Sequence, residues 1–259
     1  LIAYQSFLTA PFFDPKAQMS LWAYDFVFGE ADFWKALWTT TGLAFGMTAI
    51  ALPLGALLAF LLTRTDIPGR QWLEPLLLAP IFMSPLVLAF GYVVTMGPVG
   101  FLTLWWQSVF SAAPWNIYSF TALVVVAGLT HAPHVYLYAS AALRALPGDL
   151  EEAARVTGAS PARVARDVSL PMIMPALLFS GVLILFLGFE VFGLPLIFGD
   201  PQGVLVLSTY LYKLTNKLGV PSYQLMAVVV MVILVIALPL VFVQRLLLRT
   251  AQRFVAVRG

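Results

Sequence analysis

Long stretches without a charged side chain constrain the fold of this sequence more than any other feature. The four longest hold 28, 69, 22 and 27 residues, and they lie at 36–63, 75–143, 168–189 and 218–244. A helix needs about 20 apolar residues to cross the hydrocarbon core of a bilayer. Backbone N–H and C=O groups in lipid must be paired within the protein, which favours helices over open strands. The pattern therefore predicts several membrane-spanning helices.

The composition supports the same conclusion. Hydrophobic residues make up 61% of the chain and charged residues only 10%, which leaves too few polar side chains to cover a water-soluble domain. The stretch of 69 residues is long enough for two spans, and the sequences GPVG (97–100) and APWN (113–116) provide breaks in its middle. We therefore exclude an ordinary soluble domain.

The predicted fold class is an all-α, polytopic transmembrane helical bundle that forms a single domain over residues 1–259. We place five full spans at 33–63, 72–96, 118–143, 172–198 and 223–247. Residues 1–10 are too few to cross a bilayer, and we interpret them as the end of a first span whose beginning is missing. The Trp-rich segment 101–116 is predicted to be a helix in the membrane interface, and 204–218 a similar short segment.

Arginine and lysine separate onto opposite sides of this five-span arrangement. The arginines are Arg64, Arg70, Arg144, Arg155, Arg163, Arg166, Arg245, Arg249, Arg253 and Arg258, and the lysines are Lys16, Lys35, Lys213 and Lys217. Cytoplasmic loops carry an excess of positive charge. With ten basic residues against four, the arginine side and the C-terminus are predicted to be cytoplasmic.

The sequence contains none of the catalytic motifs that we searched for. It has no cysteine, which excludes disulfides and thiol chemistry, and no Gly-Lys pair, which excludes a phosphate-binding P-loop. Neither G-x-S-x-G nor H-E-x-x-H occurs. We therefore predict no enzyme activity and no cofactor in this chain.

The charged loop 149–171 has the pattern of two short helices with a hinge between them. Asp149 is predicted to cap the first helix, and Glu152 completes a capping box. Gly158 lies where a left-handed residue ends a helix. A small apolar face is expected from Leu150, Ala153, Ala154 and Val156. On this pattern alone, the loop is either a docking element for a partner or a plain connector.

The second half of the loop has its own start and stop residues. Ser160 and Pro161 are predicted to begin the second helix as its N-cap and first residue. Leu170-Pro171 is predicted to end that helix and to redirect the chain into the next span.

The order of residues in the loop resembles the EAA loop of ABC-importer permeases. Glu152-Ala153-Ala154 is followed by Gly158 and then by Leu170-Pro171 at the spacing of that pattern, with Val168 where isoleucine is usual. The resemblance implies the fold of a type I importer permease, in which this loop docks as a coupling helix into the cytoplasmic ATPase. The coupling residues that it implies are Asp149, Leu150, Glu151, Glu152, Ala153, Ala154, Val156, Gly158, Leu170 and Pro171.

The same resemblance implies partners and a location. These are a cytoplasmic ABC ATPase dimer that binds ATP and magnesium, an extracytoplasmic solute-binding protein, and a second permease half, with no nucleic acid. The chain is then one half of a permease in the inner membrane. The binding protein is expected to reach the outer segments 97–117 and 199–222.

The solute is predicted less sharply than the family. Segments such as FEVFGLPLIFGDP (189–201) resemble permeases for ferric iron and polyamines, so ferric iron is expected first. Polyamine, thiamine, phosphonate and oxyanions such as sulfate or molybdate stay as alternatives. Two alternatives from other classes are an ion-coupled secondary carrier, which is expected to hold several intramembrane ionisable groups, and an intramembrane enzyme.

Glu190 and His131 are the two candidates for the solute pathway. Glu190 is predicted to be the carboxylate inside a span, where an ionisable group normally faces a bundle interior or an aqueous path. It either lines the pathway or pairs with a polar group on another helix. His131 and His134 are three residues apart around Pro133, and two imidazoles are too few for a dedicated metal site. Packing near the proline is the alternative role for both histidines, and no metal site is predicted.

Overall fold

The fold is described here from a computed structural model that covers residues 1–216 and 222–255, with backbone alone for Asn216 and 247–255. Over these residues the regular elements are helices, joined by turns and loops, and one isolated antiparallel bridge links Leu8 and Met19. The α-helices are α1 (Ile2–Gln5), α2 (Trp22–Gly29), α3 (Ala31–Arg64), α4 (Arg70–Leu78), α5 (Pro85–Met96), α6 (Phe101–Phe110), α7 (Phe120–Ala145), α8 (Gly148–Val156), α9 (Pro161–Val164), α10 (Leu170–Glu190), α11 (Leu207–Asn216) and α12 (Tyr223–Val255). The all-α prediction is confirmed.

Five helical segments within the described residues are long and apolar enough to cross a membrane. They are Ala31–Arg64, Pro85–Phe110, Phe120–Ala145, Pro161–Glu190 and Tyr223–Leu246. The predicted number of full spans is therefore confirmed, and the first, third and fifth match their predicted bounds within a few residues. The predictions for Lys217 and Arg258, and for the side chains of Arg249 and Arg253, lie outside the described residues.

The predicted second span, 72–96, is wrong in its bounds because the chain is not one helix there. Helix α4 ends at Leu78, a 3-10 turn follows over Ala79–Phe82, and α5 begins only at Pro85. Ser84 is extended (φ −61°, ψ 134°), as expected for a residue that precedes a proline. Helix α5 is followed by a break at 97–100 and then by α6, which confirms a helix in the Trp-rich segment.

The fourth span also differs from its prediction, 172–198, at both ends. Helix α9 continues through a π-turn, Ala165–Ser169, directly into α10, so Leu170-Pro171 does not end a helix. The Leu170 N–H reaches back five residues to the Ala165 carbonyl. This wider turn lies just before Pro171, where α-helical geometry would press the proline ring against a carbonyl. At the other end, the helix stops at Glu190.

The first 30 residues contain more local structure than the sequence predicted. Helix α1 covers only four residues of the predicted 1–10 remnant, and the chain then turns back on itself. The Thr9 N–H bonds to the Gln18 carbonyl at 2.9 Å, and the Ser20 N–H bonds to the Phe7 carbonyl at 2.8 Å. Helix α2 was not predicted.

The described chain divides into two compact units. The first unit comprises residues 1–46, 83–127 and 186–239. Its main apolar cluster is built from α2, the start of α3, α11 and the start of α12. The buried members are Ala23, Val27, Phe33, Ala36, Leu205, Leu207, Tyr210, Leu214, Leu225, Val228 and Val229.

The second unit comprises residues 47–82, 128–185 and, of the last helix, the described residues from 240 to 255. Within it, α3 and α7 approach closely at two glycines. A Cβ placed on Gly128 would lie 2.7 Å from the Ile50 Cβ, and one placed on Gly55 would lie 2.5 Å from the Val135 Cβ. Small residues allow helix backbones to approach in this way. The charged loop belongs to this unit.

Candidate functional site

Helix α8, the first helix of the charged loop, begins two residues earlier than predicted. Pro147 is its N-cap residue, Gly148 is its first helical residue, and no side chain caps it. The predicted capping box of Asp149 and Glu152 is therefore wrong. Asp149 already lies inside the first turn, where a carboxylate interacts favourably with the helix dipole instead of capping the backbone.

The end of α8 is the hinge that the sequence predicted. Gly158 has a left-handed backbone (φ 86°). Its N–H bonds to the Arg155 carbonyl at 2.9 Å, and the Ala159 N–H bonds to the Ala154 carbonyl at 3.1 Å. These two bonds form a Schellman motif, which satisfies carbonyls that a helix end would otherwise leave unpaired. The position of Gly158 is confirmed.

The start of α9 also follows the sequence pattern. Ser160 is the N-cap residue and its hydroxyl accepts a hydrogen bond from the Arg163 N–H at 3.4 Å, while Pro161 is the first helical residue. The hinge between α8 and α9 is therefore short: the Schellman motif at Gly158 ends α8, and the Ser160 N-cap begins α9. Further along, Leu170 is 39% exposed and Pro171 is also exposed.

One face of α8 is a continuous exposed stripe. Its members are spaced at three and four residues, and they are Asp149, Glu152, Ala153 and Val156, the last of which is 87% exposed. This spacing puts them on one side of a helix. The stripe differs from the predicted apolar face, because Leu150 and Ala154 are half-buried and lie on the inner side.

Glu151 points the other way and is 7% exposed. Its Oε1 accepts a hydrogen bond from Arg64 Nε at 3.0 Å and another from the Ser169 hydroxyl at 2.8 Å. Arg64 Nη2 also donates to the Leu143 carbonyl at 2.6 Å. The assignment of Glu151 to the docking surface is therefore corrected: its carboxylate is used within the chain. Neither Arg64 nor Ser169 was predicted to contact Glu151. The position of Arg64 directly after 28 uncharged residues was a visible sign that it could have a structural role.

A second ion pair lies in the same unit. Arg144 Nη2 donates to Glu74 Oε1 at 2.5 Å, and their side chains are 49% and 26% exposed. The hydrogen bond from Arg144 lowers the pKa of the Glu74 carboxyl, and partial burial opposes this shift. The pair joins the end of α7 to α4.

The candidate pathway residues have different surroundings. Glu190 is the last residue of α10 and is exposed, so it lies at the end of a span instead of inside one. His131 is half-buried in α7, and its ring stacks on that of His134 with centroids 5.5 Å apart. Among the described residues, no group of three or more His, Asp or Glu side chains could hold a metal ion.

The predicted outer segments form local structure in the first unit. Trp115 Nε1 donates to the Met96 carbonyl and to the Thr103 hydroxyl, both at 3.1 Å. A cavity of about 340 Å³ lies beside these contacts. The residues 97–116 therefore fold onto themselves around an indole.

The segment that precedes the last span is held to the start of α3. Lys213 in α11 forms an ion pair with Asp32 at 2.5 Å. The Tyr210 hydroxyl donates to Glu30 Oε2 at 3.2 Å, and burial together with the Glu30 charge raises the pKa of Tyr210. The 3-10 turn Asp200–Gln202 precedes α11 and ends at a left-handed Gly203.

Comparison with known proteins identifies the family. Residues 51–253 match the family described as "Binding-protein-dependent transport system inner membrane component". The chain belongs to this family. The match includes the whole charged loop, so the resemblance of this loop to the EAA loop agrees with family membership.

Individual relatives agree with this membership. The chain is 30% identical over 172 residues to "Probable ABC transporter permease protein y4fN" of Sinorhizobium fredii. The aligned region covers 66% of this chain and 29% of that protein. The chain is 29% identical over 154 residues to "Molybdenum transport system permease protein ModB" of Escherichia coli, which covers 58% of this chain and 65% of that protein. The chain thus spans less than two thirds of both relatives.

A solved structure agrees with the fold. A bacterial alginate ABC transporter, in complex with an alginate pentasaccharide-bound periplasmic protein, contains a chain that superposes with a TM-score of 0.76. The superposition covers 87% of this chain and 81% of that chain, at 20% identity. This likeness concerns the fold alone.

Proposed function

We propose that this chain is a permease subunit of an ABC importer in the inner membrane, with its arginine-rich side and its C-terminus in the cytoplasm. The observation that carries the proposal is the exposed stripe on α8, which a family member would present to an ATPase. The stripe lies on a helix whose other face is buried at Glu151 and half-buried at Leu150 and Ala154, and whose end is set by Gly158. A plain connector has no need of an outward face of this kind.

The partners follow from this role. The ATPase dimer binds ATP and magnesium, so this chain supplies neither a nucleotide site nor a catalytic group. A solute-binding protein delivers its cargo to the opposite side of the membrane, near 97–117 and 199–222. A second permease half completes the pathway, because one chain with five spans supplies only one side of it.

The solute that we propose to test first is ferric iron, because Glu190 is a carboxylate at the end of a span and would attract a cation. The name of the E. coli relative favours a second candidate, a molybdenum oxyanion. The two candidates require opposite charge along the pathway. Uptake of labelled iron(III) and of labelled molybdate by the same vesicles separates them, as does mass spectrometry of the ligand on the co-isolated binding protein.

The function itself is tested by co-expressing this chain with candidate ABC ATPases and solute-binding proteins from the same organism. We expect the ATPase to co-purify with the chain, and ATP hydrolysis in reconstituted vesicles to rise when the loaded binding protein is added. An ion-coupled secondary carrier would co-purify with no ATPase, and its uptake would respond to an ion gradient instead of ATP. That result would overturn the proposal.

Two glycines provide a matched pair of variants for the docking role of α8. A Cβ would meet nothing within 4 Å at Gly158 or at Gly148, but only Gly158 has a left-handed backbone. An alanine there costs about 1–2 kcal/mol if the backbone stays as it is, or else it changes the angle of α8. We expect Gly158→Ala to weaken ATPase co-purification and Gly148→Ala to leave it unchanged. Equal co-purification of both variants would contradict docking through α8.

A further inference from the structure

A buried polar cluster connects α8 to the rest of its unit. We name it the α8 clamp, and it consists of Arg64, Glu151 and Ser169. Arg64 is the last residue of α3, and Ser169 is the last residue of the π-turn before α10. Both donate to the same oxygen, Glu151 Oε1, at 3.0 and 2.8 Å. The exposed fraction is 7% for Glu151 and 1% for Ser169.

The clamp also reaches the end of α7. Arg64 uses another guanidinium nitrogen, Nη2, to donate to the Leu143 carbonyl at 2.6 Å, two residues before the end of α7. A single guanidinium therefore contacts α7 and α8 at once, from a third helix. Its planar arrangement of donors fixes the direction of both contacts, which a lysine ammonium would not do.

The clamp holds α8 in one orientation relative to the elements that it contacts. A helix of nine residues is too short to be stable in isolation, so its angle depends on what holds it. Buried ion pairs add little stability compared with apolar packing of the same volume. Their defined geometry can instead hold one arrangement of neighbouring elements. Glu151 is well placed for this, because it lies opposite the exposed stripe on the same helix.

We propose that the α8 clamp transmits movement of α8 to the ends of α3, α7 and α10. Glu151 is a positioning residue in this scheme: it contacts no solute and no nucleotide, and it acts through Arg64 and Ser169. A displacement of the exposed stripe pulls on the Glu151 carboxylate, which is bound to α3 through Arg64 and to the start of α10 through Ser169. The end of α7 moves with them because Arg64 also binds the Leu143 carbonyl. The inference rests on the proposed permease function, since it assumes that an ATPase moves α8.

The test separates transmission from folding by replacing the ion pair with apolar side chains. The double variant Arg64→Met/Glu151→Leu keeps similar volumes and leaves no buried charge unpaired, so assembly should persist. Asp167→Asn is the control, because it removes a carboxylate that is 59% exposed and whose partner, Arg166, lies 3.9 Å away, outside the clamp. The complete complex with ATPase and binding protein is reconstituted for each variant.

We expect the double variant to retain its ATPase, because the exposed stripe is intact, and to lose coupling. Labelled iron(III) or labelled molybdate, whichever the parent takes up, is the transported probe. The amount moved per ATP hydrolysed should fall at least about fivefold, within the usual range for coupling between sites. The control should match the parent. Parental coupling in the double variant would overturn the clamp and leave the permease proposal standing. A parent whose ATP hydrolysis ignores the binding protein would overturn both.

A second measurement covers the case in which the double variant does not assemble. Ser169→Ala removes one hydrogen bond and no charge, and coupling should fall by at least about twofold. Because the chain has no native cysteine, a spin label can be placed at Val156→Cys without background. Both measurements are made without the ATPase. The label should be more mobile in the Ser169→Ala chain than in the labelled chain that retains Ser169. Unchanged label mobility and unchanged coupling in Ser169→Ala would together refute the proposal.

Discussion

At the scale of single residues, the charged groups of the second unit divide into buried and exposed pairs. Glu151 is enclosed and bound by two donors, whereas Glu74 shares one contact with Arg144 and stays partly in solvent. Solvent screening makes such exposed pairs worth about 1 kcal/mol or less. The two pairs lie in one unit and have different consequences, because burial decides what the loss of a partner costs.

The Glu74–Arg144 pair should make stability depend on pH in a defined direction. Because the folded state lowers the pKa of Glu74 below its ordinary 4.5, the pair stabilises the fold above that pH. This contribution is lost as pH falls through the folded pKa. We expect Glu74→Gln to lower the melting temperature slightly at pH 7 and by less at pH 3. An equal difference at both pH values would contradict the assignment.

At the scale of helices, the sequence predicted the glycine-terminated end of α8 better than its beginning. Gly158 was predictable because a left-handed position strongly favours glycine, and that requirement is local. The start of α8 was not, since a proline and a glycine preceded an aspartate that could equally cap the helix or enter it. Pro171 misled for a related reason: the proline did disturb the helix, but a π-turn absorbed the disturbance.

The inward orientation of the Glu151 side chain could not be predicted from the local sequence pattern. Two adjacent glutamates look alike in sequence, and only the positions of Arg64 and Ser169, 87 and 18 residues away, distinguish them. The exposed face of α8 was also predicted wrongly. Leu150 and Ala154 were expected on it because they are apolar, but both are half-buried on the inner side of the helix. Long-range contacts of this kind need the fold before they can be inferred.

The contact between α3 and α7 provides a prediction about helix packing. An alanine at Gly128 would bring its Cβ to 2.7 Å from the Ile50 Cβ, and one at Gly55 to 2.6 Å from the Ala132 carbonyl oxygen. Overpacking of this kind costs about 1–3 kcal/mol. We expect both alanine variants to unfold at lower temperature than the parent in detergent. Gly91→Ala is the control, because a Cβ there meets nothing within 4 Å, and a control as unstable as the others would exclude packing as the cause.

At the scale of the whole molecule, five spans and the separation of arginine from lysine predict one topology. An odd number of spans puts the start of α3 and the described end of α12 on opposite sides of the membrane. The loop between α7 and α10 then shares its side with the end of α12, and both carry arginine. Family membership agrees with a multi-pass inner-membrane protein, while the orientation is our proposal.

That orientation can be tested because the chain has no native cysteine. Lys213 is a poor site for a label, since it is paired with Asp32. Exposed Lys16 and Ala112 are better outer sites, and exposed Arg163 is the inner one. In intact cells, we expect an impermeant thiol reagent to label Lys16→Cys and Ala112→Cys, and to label Arg163→Cys only after the membrane is opened. Labelling of Arg163→Cys in intact cells would place the loop outside, where no cytoplasmic ATPase could reach α8, and the docking role would fall with it.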